Sequence, residues 1–307
     1  MLCLLIVFIE VMKIMSLNEN TINDWYEYFC IPSNWSSLSR TDVINKFVDV
    51  LQSESVFVRK NFNCRLNVSY GERDREKIDF IFPKGVNENQ SGLPIVVFLH
   101  GGYWEEGNPS FYNGFAKPYI NENCVVAIIG YDLSSETIKI PFIEAQCVKA
   151  LEFIIARYPS LKIILSGHSA GAYLASAMFS HQHLVKSIHA LFPLAGCFCL
   201  EDLAKTSISK ALDFNNLGNQ DLLQRNFFFD KNNKVFMFAG QNDSPYLLMQ
   251  SLKFFEKLTK EGHNVNFEII RNEDHFSLIE NSILKMDFPI TKCIIGLIKE
   301  LNDPGTQ

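Results

Sequence analysis

The chain has 307 residues, 47% hydrophobic and 20% charged, which excludes an intrinsically disordered protein and leaves room for one large α/β domain or two smaller ones. Its 28 Lys and Arg against 34 Asp and Glu give a net charge of −6, which argues against nucleic acid or an anionic membrane as partner. The 8 cysteines are scattered without a CxxC pair, so no metal site and no disulfide framework is expected; most are read as reduced core thiols, with Cys197 and Cys199 the weakest cases.

At the N-terminus the apolar run from Leu2 to Ile9 resembles the h-region of a signal peptide, yet it lacks a basic flank, is broken by Glu10 and is too short to span a bilayer. Residues 1–15 are therefore expected to be a dispensable extension of a cytoplasmic protein, with Met12 and Met15 as alternative starts. The Asn-x-Ser sequons at Asn34, Asn67 and Asn89 would matter only in a secreted chain. Residues 16–307 read as a single domain. Its first part, to about residue 70, is irregular and mostly helical, a cap region anchored by Trp25, Tyr26, Phe29 and Trp35.

From there the pattern alternates. IDFIF at 78–82 has period two, whereas PIVVFLH at 94–100 and CVVAIIGY at 124–131 are continuous apolar runs, the mark of strands buried on both faces. Between Pro141 and Pro159, Ala145, Val148, Leu151, Ile154 and Ile155 recur at helical spacing. KIILSG at 162–167, the helix AGAYLASAMFSH, and IHALFPLAG follow; after a variable insertion at about 197–233 come KVFMFAG at 234–240, a helix from Pro245 to Gly262, VNFEII at 265–270 and a last helix at about 289–301. Strands alternating with helices predict a mostly parallel central sheet with helices on both faces.

The chemistry is carried by Gly167-His168-Ser169-Ala170-Gly171, a GxSxG sequence between a strand and a small-residue helix. A serine on such a tight turn is lifted above the sheet edge in a backbone geometry that flanking glycines permit. Its hydroxyl needs a histidine base, and the base needs a carboxylate to orient it. Asp243 follows the strand KVFMFAG, and His275 follows VNFEII, so both fall at the same sheet edge as Ser169. Asp230 and His263 precede those strands and fall at the wrong edge; Asp274 adjoins His275 but is expected to point elsewhere, and His181, His183 and His189 are read as structural. His100-Gly101-Gly102-Tyr103-Trp104 ends the PIVVFL strand and supplies a candidate oxyanion loop, with the N–H groups of Gly102 and Ala170, and of Gly101, as donors.

Four such elements in this order resemble the α/β-hydrolase fold. HGGYW, GHSAGAYLA and DHFSLIE, together with IPSNW at 31–35, YGERDREKIDFIFP at 70–83 and YLLMQS at 246–251, look like the kynurenine formamidase (arylformamidase) family, a resemblance covering most of residues 25–300. It implies Ser169 as nucleophile, Asp243 as orienting acid, His275 as base, and the loop from His100 through Tyr103 and Trp104 as oxyanion and substrate wall. The activity implied is hydrolysis of N-formyl-L-kynurenine to L-kynurenine and formate in tryptophan degradation. No cofactor or metal is required. The resemblance allows a homodimer, for which the sequence shows no interface signature. Tyr173 departs from the histidine expected after GHSAGA, and Ala195 from a usual serine, which touches substrate preference more than reaction type. Two alternatives remain: a carboxylesterase with the same triad acting on small esters, and a catalytically dead hydrolase fold used for binding, which would leave the complete triad unexplained.

Overall fold

The computed structural model describes residues 19–86, 92–158, 162–201, 203–213 and 217–303; the expected extension at 1–15, the sequon at Asn89 and Pro159 lie outside them. The larger elements begin with α1 (Glu19–Cys30), α2 (Arg40–Asn61), β1 (Asn63–Ser69), β2 (Lys77–Phe82), β3 (Ile95–Leu99), β4 (Val125–Ile129) and α3 (Ile140–Arg157). They continue with β5 (Ile163–His168), α4 (Ala170–Ala177), β6 (Ile188–Leu194), β7 (Lys234–Gly240), α5 (Pro245–Lys260), β8 (Val265–Ile270), α6 (Ser277–Leu284) and α7 (Pro289–Asn302).

The unbroken apolar runs of β3 and β4 are buried at every residue, as is β5. A strand can bury both sets of side chains only if both faces of its sheet are covered, and here the alternation is explicit. Ile95, Val97 and Leu99 enter one core with Ile143 and Leu151 of α3 and Phe254 of α5, whereas Val96 and Phe98 enter a second core with Leu51 of α2 and Ile294 of α7. The eight strands lie in the order β1-β2-β4-β3-β5-β6-β7-β8. Strands β1 and β2 pair antiparallel, as do β2 and β4, and the remaining pairs are parallel. The parallel register sets Leu99 beside Gly167 and Gly240 beside Ile270, so the loops leaving these strands emerge at one edge of the sheet.

Three local features differ from the sequence expectation. Strand β1 lies in the segment read as mostly helical; it is an edge strand whose residues are all exposed or half-buried, so it lacks an apolar stripe to betray it. Strand β2 is buried at five of its six positions rather than at alternate ones, because it sits between β1 and β4 under covering helices. Helix α6, directly after His275, was not anticipated. Among its described residues the variable insertion contains short helical turns at Leu203–Lys205, Ser207–Ala211 and Leu217–Gln220, and Gln250 of α5 fixes its start by accepting the Phe198 and Cys199 N–H groups at 2.7 and 3.0 Å.

The one carboxylate inside β2, Asp79, is buried and accepts from the Asn67 N–H at 2.7 Å and the Asn113 amide at 2.9 Å. Removing it leaves two donors without an acceptor. Asp79→Leu is therefore expected to lower the unfolding free energy by about 3 kcal/mol, despite the gain in apolar character, as a reduced midpoint in urea unfolding would register.

Candidate active site

Ser169 stands between β5 and α4 with φ 55° and ψ −118°, a conformation that costs a non-glycine residue on the order of 1–3 kcal/mol. The flanking glycines are required by contact. A Cβ on Gly167 would lie 2.1 Å from the Gly171 carbonyl oxygen, and one on Gly171 would lie 2.0 Å from the Leu99 carbonyl oxygen. The Ser169 N–H donates to Leu194 O at 2.9 Å, which ties the turn to the end of β6, and the Ser169 carbonyl accepts from Ala172 and Tyr173 as α4 begins. Ala170 is the first residue of that helix, where an N–H has no intrahelical acceptor and is available to a ligand.

Asp243 lies in the turn after β7 and His275 in the loop after β8. The two loops are laced together, Gln241 N–H to Ile270 O at 2.9 Å and Asn242 N–H to Glu273 O at 2.8 Å. His275 Nδ1 and Asp243 Oδ2 are 2.9 Å apart, both residues are buried, and the second carboxylate oxygen accepts the Ser244 N–H at 2.6 Å. That geometry fixes the Nδ1–H tautomer and leaves Nε2 as the basic nitrogen. Asp274 turns away: its carboxylate accepts from the N–H groups of Phe276 and Ser277 and from Ser36 Oγ, at 3.0, 2.8 and 2.6 Å. His263 packs beside Phe229 and pairs with Glu261 at 3.5 Å, His181 and His183 pair with Glu144 and Glu152, and Asp230 turns the chain before β7.

The loop after β3 meets this serine closely. A Cβ on Gly101 would be 3.2 Å from Ser169 Cβ and 2.9 Å from the His168 carbonyl oxygen. Gly102 has φ 111°, which suits glycine, but Tyr103 and Trp104 also have positive φ, 51° and 60°, so two bulky residues in succession carry backbone strain. The Gly102 carbonyl accepts from Glu105 and Glu106 N–H, both at 2.9 Å, closing the turn. Arg75 holds its far end through the Gly107 carbonyl.

Two of the three residues expected to contact substrate, His100 and Trp104, are fully buried in this structure. His100 has no exposed surface; its ring stacks on Tyr131 at 4.2 Å, its Nδ1 is 2.8 Å from Gly101 O, and Tyr131 donates to His100 O at 2.6 Å. Burial pushes this imidazole down to about 4, so it is a neutral brace behind the loop. Trp104 likewise has no exposed surface and meets Tyr173 edge-on at 5.5 Å, so it stiffens the loop from inside instead of forming an open wall. Tyr103 is half-buried and donates to the Cys30 carbonyl at 3.1 Å.

Residues other than Ser169, Asp243, His275 and the glycine loop also shape the surroundings. Tyr173 donates to Gln220 O at 2.6 Å and is 3.1 Å from Arg225 Nη2, while Arg225 Nη1 is 2.8 Å from Glu144. Burial alone would raise the Glu144 carboxyl, but the His181 and Arg225 contacts outweigh it and hold it below the usual carboxylate range. Tyr173 thus ties the insertion to α4. Ala195 has φ 48° and donates to Phe238 O at 2.7 Å. Cys64, Cys124, Cys147, Cys197 and Cys293 are free thiols, and burial pushes Cys147 and Cys197 well above the ordinary thiol range. Among the described residues no group of three or more His, Cys, Asp or Glu is placed to hold a metal, and no helix is long and apolar enough to cross a membrane.

The tight fit of Gly101 against Ser169 makes a sharp test. Its φ is not positive, so alanine is tolerated by the backbone and the penalty is one of contact. Gly101→Ala is expected to lower kcat on a p-nitrophenyl ester by about 10²-fold, the scale of one misplaced oxyanion donor, with the unfolding midpoint little changed.

Two family models match parts of the chain, BD-FAE over residues 78–191 and the prolyl oligopeptidase family over residues 145–287. Kynurenine formamidase from Danio rerio is 27% identical over 278 residues, covering 87% of this chain and 93% of that one. Kynurenine formamidase from Salmo salar is 28% identical over 279 residues with the same coverage. Among solved structures, esterase B from Lactobacillus rhamnosis superposes with a TM-score of 0.64 over 85% of this chain and 93% of that one at 13% identity, a likeness of fold. The chain is therefore a hydrolase with the α/β-hydrolase fold, similar along most of its length to the kynurenine formamidases.

Proposed function

We propose that the chain cleaves N-formyl-L-kynurenine to L-kynurenine and formate, with Ser169 as nucleophile, His275 as base and Asp243 as the acid that orients it. The observation that carries this reading is the buried 2.9 Å contact of His275 with Asp243, at the same sheet edge as a serine held at positive φ, in a chain similar to kynurenine formamidases over 87% of its length. Ser169 Oγ attacks the formyl carbon while His275 Nε2 takes the hydroxyl proton. The carbonyl oxygen becomes an oxyanion facing the Gly102 and Ala170 N–H groups, with Gly101 beside them; each such donor contributes about 3 kcal/mol in the transition state. The C–N bond then breaks, and His275 returns its proton to the departing aryl amine. Water, deprotonated by the same nitrogen, attacks the formyl ester and releases formate and free Ser169. The acyl group is a single carbon, so the acyl side needs little room, and Tyr103 is the residue proposed to limit it. Every step uses protein groups and water. We place this enzyme in the cytoplasm, and size-exclusion chromatography would test the homodimer that the resemblance allows.

Kynurenine release from N-formylkynurenine, followed by absorbance, is the direct test. Wild type should prefer the formamide to a short-chain ester. Ser169→Ala and His275→Ala should each lose at least about 10⁴-fold in kcat with the fold intact, and Asp243→Asn about as much through the wrong tautomer. Ester cleavage without formamide cleavage would replace this reading with that of a carboxylesterase, and turnover of neither substrate would remove the enzymatic one.

A further inference from the structure

His168, the second residue of the GHSAG sequence, has no part in the chemistry above, yet it touches two of the loops that carry it. Its side chain is buried, and its Nε2 lies 2.9 Å from the main-chain carbonyl oxygen of His275. A carbonyl only accepts, so Nε2 carries the proton and Nδ1 is bare. That Nδ1 is buried and meets no hydrogen-bond donor among the described residues, and a Cβ on Gly101 would sit 3.2 Å from it. The imidazole is thus wedged between the glycine loop and the histidine loop. Its ring centroid is 4.5 Å from that of His275, and Phe47 of α2 backs both His168 and Phe276, at 6.3 and 5.3 Å.

We propose that His168 is a positioning residue, whose Nε2–H holds the main chain of His275 in place and whose ring sets the gap between the Gly101 loop and the base. The assignment rests on Ser169 and His275 acting as proposed above. An apolar side chain would fill the same volume without a stranded acceptor; what an imidazole adds here is the single N–H aimed at the His275 carbonyl, and a bare buried Nδ1 is the consequence. That carbonyl belongs to the residue whose ring must meet Ser169, so a small shift there is transmitted to the proton-transfer distance. His168 is also kept neutral by its surroundings. Burial, then the nearby His275, hold its imidazole well below the ordinary histidine value, so it remains a neutral donor where the enzyme works.

The test compares wild type with His168→Phe, which keeps a ring and removes the donor, and His168→Gln, whose terminal amide N–H replaces Nε2–H. Both the short-chain ester and N-formylkynurenine serve as substrates, and labelling of Ser169 by a fluorophosphonate reports the nucleophile directly. The Phe variant should lose about 30- to 100-fold in kcat and in labelling rate with KM changed less than about 3-fold, and the Gln variant should recover to within about 5-fold of wild type. The acidic limb of kcat/KM should follow one proton in wild type and in the Gln variant alike. If the Phe variant does not fold, His168→Asn, whose shorter amide falls short of the carbonyl, should show the same loss. Wild-type kcat in a folded Phe or Asn variant, a Gln variant no better than Phe, or a second proton lost from the acidic limb on substitution would overturn the positioning role. A wild type that cleaves the ester but not the formamide would overturn the substrate reading alone, since the comparison stands on the ester; a wild type that neither labels nor cleaves would overturn both.

Discussion

The structure is organised around a short stretch of unfavourable backbone. Ser169 is held at φ 55° where β5 turns into α4, and the turn closes only because Gly167 and Gly171 let the chain approach the Gly171 and Leu99 carbonyls. Strain of this kind persists when the surroundings over-determine it. Here β5 is central in the sheet and buried at every residue, and the Ser169 N–H is bonded to the end of β6. A deformable β5 would let the turn relax and would withdraw the hydroxyl from the sheet edge.

The parallel sheet does the rest of the placement. The glycine loop, Ser169, Asp243 and His275 follow β3, β5, β7 and β8, whose carboxyl ends share one edge. Neighbouring strands are about 4.8 Å apart, so the ends of β5 and β8 are separated by roughly 14 Å, too far for a histidine at the end of β8 to approach Ser169 directly. The loop after β8 carries His275 beyond that strand end. It is pinned to the β7 turn by the Asn242–Glu273 bond at 2.8 Å and to the strand that leads into Ser169 by His168 at 2.9 Å.

The N-terminal region is part of this scaffold. The Cys30 carbonyl accepts from Tyr103, the Phe29 carbonyl from Ser244 beside Asp243, and Asp274 accepts from Ser36 at 2.6 Å beside His275. Three loops from three different strands are thereby tied to one short segment, residues 29–36. On the other side, Tyr173, Arg225 and Glu144 fasten the insertion to α4 and α3. A tyrosine at position 173 is long enough to touch the Gln220 carbonyl and Arg225 together, which gives its departure from histidine a structural consequence.

Much of this was legible in the sequence, for physical reasons. Short continuous apolar runs bounded by turn residues read as strands covered on both faces, so β3, β4, β6 and β7 and the alternating architecture followed from patterning, as did helices α3, α5 and α7 from spacing and their flanking prolines. Strand ends then restricted the candidate histidine and carboxylate to His275 and Asp243, because Asp230 and His263 precede their strands. Edge strand β1 carried no apolar signal, and the start of α6 was hidden in the DHFSLIE motif that contains His275. The roles of side chains relative to one another were not in the pattern at all. That His100 and Trp104 brace the glycine loop from within, that Tyr173 meets Arg225, and that His168 bonds the main chain of His275 107 residues away depend on which surfaces the packed sheet brings together. Local sequence determines periodicity and turns, because those arise between near neighbours; contacts across strands are settled only when the sheet has closed and the two cores have formed.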